Sequence, residues 1–105
     1  MRGLVKQPVD PTRLRHLPRQ FGAIDRNLVY QGHLQQLGLA EIALYALLLC
    51  VSDPQGLSYY SDRRLGELLG LESEALKRAR HGLVQQRMLL YRAPFYQLLD
   101  LPEAP

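Results

Sequence analysis

Ten consecutive apolar residues, Ile42 to Val51, place the strongest constraint on how this chain can fold. An uninterrupted run of that length reads as a helix. Because it is apolar on every face it has to be surrounded, either as the central helix of a domain or in part against a second subunit. It is about half as long as the roughly 20 residues that a membrane span needs, so it is expected to belong to a soluble protein. Leu39-Ala40-Glu41 opens the helix and Ser52-Asp53-Pro54 stops it. A chain of 105 residues has room for one such core and not for two. Cys50 is the sole cysteine, so no internal disulfide is expected, and its place inside the run predicts a small buried hydrophobe. With Met1-Arg2-Gly3-Leu4 lacking the apolar segment of a secretory signal, the expected location is a reducing, bacterial-type cytoplasm.

The segments on either side differ in kind. Residues 1–20 contain Pro8, Pro11 and Pro18 and no sustained periodicity, which predicts a basic, extended arm rather than core. A short strand is expected over Phe21–Ile24. From about Asp25, Tyr30, Leu34 and Leu37 stand at i, i+4, i+7, the stripe of a helix that Gly38 would end. After the apolar run, Leu57-Ser58-Tyr59-Tyr60 is β-prone. Ser61 is a good N-cap with Asp62 at the positive end of the helix it starts. Leu65, Leu68 and Leu69 give that helix its buried stripe, Gly70 a left-handed stop and Leu71 a plug for the turn. A fourth helix buries Leu76, Ala79 and Leu83 and turns Glu74, Lys77, Arg78 and His81 to the other side. Leu89–Arg92 and Phe95–Leu99, joined at Ala93-Pro94, predict a β-hairpin.

Helix, short strand, helix, tight glycine turn, helix and hairpin is the order of a winged helix-turn-helix. Ser61-Asp62-Arg63-Arg64-Leu65-Gly66-Glu67-Leu68-Leu69-Gly70-Leu71 resembles the pattern of bacterial winged-helix regulators, a serine followed by leucine-small-x-x-leucine-glycine-hydrophobic. Leu76, Ala79, Leu83 and Leu89 continue it, and the resemblance covers residues 39 to 99. It implies a mainly α fold with a small β-hairpin: arm 1–20, winged-helix domain 21–100, tail 101–105. The arm, Phe21 to Leu37, the apolar helix and the Gly56–Ser61 segment are together also similar to the N-terminal helix-turn-helix part of replication-initiation proteins and to helix-turn-helix proteins of mobile elements. The implied function is double-stranded DNA binding, in transcription regulation or as a replication or mobile-element accessory factor.

Charge follows the same division. The net charge of +3 is concentrated in the first twenty residues and again from Ser61 to Arg92, while residues 21–60 hold a single basic residue, Arg26. By resemblance, Ser73, Glu74, Lys77, Arg78 and His81 would face the major groove. Arg63 and Arg64 would be available to phosphates and Arg92 to the wing contact. Arg78 has the fork to donate twice to a guanine edge; Lys77 is a mobile point charge suited to phosphate. Arg13, Arg15 and Arg19 would follow a minor groove or the phosphates as a flexible arm. Three residues depart from the family pattern or weaken it: Glu72 and Glu74 put negative charge at the start of the recognition helix, and Arg87 stands where a glycine usually precedes the first wing strand. The wing, tipped by Ala93-Pro94, is short.

An enzyme is not expected. His16, His33 and His81 fall in different elements with no paired spacing, there is no phosphate-binding glycine loop, and Cys50 has no basic neighbour to make a thiolate. No metal, cofactor or small-molecule ligand is predicted. The alternative is a protein-interaction or dimerisation module, a homodimer formed through the apolar helix or the aromatics Tyr59, Tyr60, Tyr91, Phe95 and Tyr96. RNA is a weaker third choice, for want of an RNA-reading motif. Aromatics gathered on an exposed face with Lys77 and Arg78 engaged by Glu74 would favour docking; a continuous face of Arg63, Arg64, Lys77, Arg78 and His81 would favour nucleic acid.

Overall fold

The computed structural model of the chain describes residues 3–104. Four helices and three strands follow one another as α1 (Asn27–Tyr30), a 3-10 turn (Leu34–Gln36), α2 (Leu39–Val51), β1 (Leu57–Tyr59), α3 (Asp62–Leu69), α4 (Ser73–Gln85), β2 (Leu89–Arg92) and β3 (Phe95–Leu98). The hairpin is there, and β1 widens it: the sheet is antiparallel in the order β1-β3-β2, with Tyr59 opposite Phe95 and Arg92 opposite Phe95 on its other flank. Among the described residues no helix is long and apolar enough to cross a membrane.

The helical pair forms from local signals. Ser61 Oγ accepts the Arg64 N–H at 3.1 Å, which satisfies one of the donors that a helix start leaves without a partner. Gly70 ends α3 in the left-handed region, and the Leu71 N–H closes onto the Gly66 carbonyl at 3.1 Å. Leu65 from α3 and Leu76, Ala79 and Leu83 from α4 are then buried with Leu44, Tyr45 and Leu48 of α2, Met88 and Leu89 before and in β2, and Tyr96 of β3. Six leucines of this set, Leu44, Leu48, Leu65, Leu76, Leu83 and Leu89, have no exposed surface at all. Each such burial removes apolar area worth about 2 kcal/mol from water.

Within the single chain, the apolar helix is covered on only part of its surface. Leu44, Tyr45 and Leu48 are buried, but Ala46, Cys50 and Val51 face outward, and Cys50 is a free, exposed thiol. A uniformly apolar run carries no information about which face is covered. Only the elements that pack on it decide that.

Upstream of α2 the structure departs from the expected helix and strand. Gly32, at φ 81°, breaks the stretch into a single turn and a 3-10 turn. Tyr30 then points away at 74% exposed, while Leu28 and His33 are buried in its place. Gly38 does not end a helix but starts one: it is the N-cap of α2, and Glu41 reaches back to accept its N–H at 2.8 Å. Phe21–Ile24 forms no strand. It runs past the C-terminal half of α2 so closely that a Cβ on Gly22 would stand 2.5 Å from the Leu49 carbonyl oxygen. Residues 3–20 are exposed throughout. Of the tail, Leu101 packs against the core.

Two buried phenols make the fold sensitive to alkali. Burial pushes up the pKa of Tyr45, helped by the negative charge of Asp25, and burial likewise raises that of Tyr96, which the Arg80 cation pulls partly back. Both groups fold neutral. Their contribution is complete below the ordinary phenol value of 10.0 and falls as pH rises above it, because the unfolded chain ionises first. Tyr45→Phe is expected to flatten the fall in urea midpoint measured between pH 9 and pH 11, the wild type losing more stability there than the variant.

Candidate nucleic-acid interface

The site is built on α4. With its apolar stripe against the core, the helix leaves an arc of about 100° carrying Glu74, Lys77, Arg78, His81 and Gln85 toward solvent. Ser73 opens the helix and is exposed, with Glu72 as N-cap. The two glutamates suit the positive end of the helix.

The expected cations fall into four places. Arg63 and Arg64 project from the first turn of α3, and both are held by Glu67, at 3.1 and 3.3 Å. Arg63 shares a shallow hollow with Ser73, so the start of α3 and the start of α4 do meet. Lys77 and His81 border a groove of about 720 Å³ between α4 and the sheet, and Arg92 closes it from the hairpin. Lys77 lies 3.7 Å from Glu74. Arg78 is on the opposite flank of α4, beside Leu39 and Glu41 at the start of α2, and has no ion-pair partner among the described residues. Arg13, Arg15 and Arg19 are exposed in the arm. Arg19 sits next to Cys50, near the end of α2 remote from Arg78, about 13 Å along the helix axis from Glu41. Arg19 therefore does not join the α4 face. Ion pairs with Glu67 and Glu74 interrupt the positive face, but all of them are exposed, and such pairs contribute about 0–1 kcal/mol and exchange partners readily.

One residue central to this geometry has no sequence motif to announce it. Arg80 turns inward from α4, its side chain only 12% exposed, and its guanidinium donates to both carboxylate oxygens of Asp62 at 2.6 and 3.3 Å and to the Tyr96 hydroxyl at 2.9 Å. It also lies over the Tyr91 ring, 4.1 Å from the centroid. Burial alone disfavours the cation; the hydrogen bonds to Asp62 and Tyr96 outweigh it and raise the pKa above the ordinary arginine value. Arg80 thereby ties α4 to the start of α3 and to both strands of the hairpin. Its position between Ala79 and Leu83 on the edge of the apolar stripe is the only hint of this in the sequence.

The hairpin is short and tethered. Its Ala93-Pro94 turn is held by the Tyr60 N–H, which donates to the Pro94 carbonyl at 3.1 Å. Arg87, ahead of β2, adopts a left-handed φ of 58° that glycine would occupy without strain. Among the described residues no three histidine, cysteine or carboxylate side chains gather as metal ligands. Comparison of the chain with protein-family models, curated proteins and solved structures finds no match.

Proposed function

We propose that the chain binds double-stranded DNA as a winged helix-turn-helix, with α4 in the major groove, α3 bracing it and the β2–β3 hairpin as a short wing. The observation that carries this reading is the single exposed arc of α4, which holds Lys77, Arg78 and His81 over a helix whose other side is locked into α2, α3 and the sheet. A rigid helix of 13 residues presented in this way has the dimensions to enter a major groove. Arg63 and Arg64 flank it as phosphate contacts, since exposed arginines leave Glu67 for a phosphate at little cost. In this reading the protein is a transcription regulator or a replication or mobile-element accessory factor of a bacterial-type cytoplasm, acting as a homodimer.

Anisotropy of a labelled random duplex pool, titrated at two salt concentrations, tests the reading. Affinity is expected to fall steeply with salt. Arg78→Ala is expected to reduce discrimination among sequences selected from the pool by about 1–3 kcal/mol, whereas Arg13→Ala weakens all of them alike and lowers the salt slope. Equal behaviour of wild type and Arg78→Ala on every sequence removes Arg78 from base reading. The docking alternative has one observation in its favour, Lys77 beside Glu74 together with Tyr59 and Phe95 exposed on one face. Failure to bind duplex at low salt by a protein of defined dimeric mass would select it.

A further inference from the structure

We infer that the outer face of the sheet binds unpaired bases of a single nucleic-acid strand, a second contact that adjoins the duplex surface of α4 and shares Lys77, His81 and Arg92 with it. Alternation along the strands puts two cross-strand rows on this face: Tyr59, Phe95 and Arg92 in one, Leu57, Gln97 and Leu90 in the other. The first row consists of three flat groups side by side. Tyr59 is 71% and Phe95 57% exposed, and their ring centroids are 5.9 Å apart. The other two aromatics of the sheet behave differently: Tyr96 is buried and Tyr91 lies beneath Arg80, so both are part of the packing. Tyr59 and Phe95 take no part in the core.

Charge decides between possible occupants. The groove that runs from this face to α4 is bordered by Lys77, His81 and Arg92, with Leu57, Leu90 and Phe95 forming its apolar side, and no carboxylate lines it. Aromatic and guanidinium planes on an open sheet stack on bases of any sequence, and a cationic border follows the backbone of the same strand. Duplex DNA hides its base faces and cannot use the first row. A strand whose bases are exposed can, and two or three bases match the three planar groups.

A labelled oligothymidylate, which does not pair with itself, is the probe, run beside an abasic strand of the same length and a duplex. Wild type is expected to bind the oligothymidylate at least about tenfold more tightly than the abasic strand. Tyr59→Ala and Phe95→Ala are each expected to lose about tenfold on the oligothymidylate, Tyr59→Phe to lose little, and all three to keep duplex affinity within about twofold. Urea melts of the variants confirm that the exposed substitutions leave the fold intact. Three results overturn the assignment: no binding of the oligothymidylate at low salt, equal binding of the abasic strand, or a wild-type dimer in light scattering that Tyr59→Ala and Phe95→Ala dissociate, which would give the face to a second copy. Retained strand binding with no duplex binding would refute the major-groove reading and leave this one standing.

Discussion

Replacing Arg80 by methionine is expected to lower stability by about 2–3 kcal/mol and to bring the thermal midpoint down by about 10 °C or more. The substitution keeps most of the apolar stem, so packing volume is not the cause. What it removes is a guanidinium that makes two hydrogen bonds to Asp62 and one to Tyr96, leaving a half-buried carboxylate and a buried hydroxyl without partners. Breaking a fully buried ion pair costs about 3–5 kcal/mol; the partial exposure of Asp62 brings the figure down. For a domain of this size each kcal/mol shifts the midpoint by about 4–8 °C. Arg80→Lys keeps the charge but not the fork, and should recover only part of the loss. Urea unfolding of the three proteins at neutral pH measures the difference. Equal stability of wild type and Arg80→Met would mean that the contact among α3, α4 and the sheet forms without contributing.

The second large effect concerns binding. Lys77→Glu combined with Arg78→Glu is expected to reduce duplex affinity by about a hundredfold or more at low salt, because it removes two cations from the α4 arc and places four glutamates, with Glu72 and Glu74, along the same helix. The fold should survive, since both positions are exposed and neither anchors α4. Anisotropy with the duplex pool, beside a urea melt, checks both statements. Unchanged affinity would move the contact off α4.

How much of this was legible in the sequence depended on whether the signals were local. Ser61 with the Arg64 N–H, Gly70 with the Leu71–Gly66 closure, and the Leu76, Ala79, Leu83 stripe all act within a few residues, and each is where the spacing predicts. The hairpin is equally local. What the spacing missed involves residues far apart in the chain: Asp62, Arg80 and Tyr96 meet only because α3, α4 and β3 pack together, and nothing in 18 or 16 residues of separation encodes that meeting. Upstream, Tyr30, Leu34 and Leu37 have helical spacing, but Gly32 between them takes a positive φ and sets Tyr30 free. Cys50 was misplaced for a different reason, since every face of Ile42–Val51 is apolar and pattern alone cannot say which is left uncovered. Of the candidate site, the α4 arc was legible as a face; the separation of Arg19 from it, the ion pairs with Glu67 and the exposed row of Tyr59, Phe95 and Arg92 required the tertiary arrangement.

The most direct test of DNA binding through α4 is to titrate the isotopically labelled protein with a duplex and follow the backbone amide resonances. The largest shifts should map to Ser73–His81, with smaller ones at Arg63, Arg64 and the Arg92 turn, and little change in the exposed part of α2. Shifts confined to other surfaces, or none at a duplex concentration that saturates anisotropy, would contradict the assignment of α4 as the element that enters the groove.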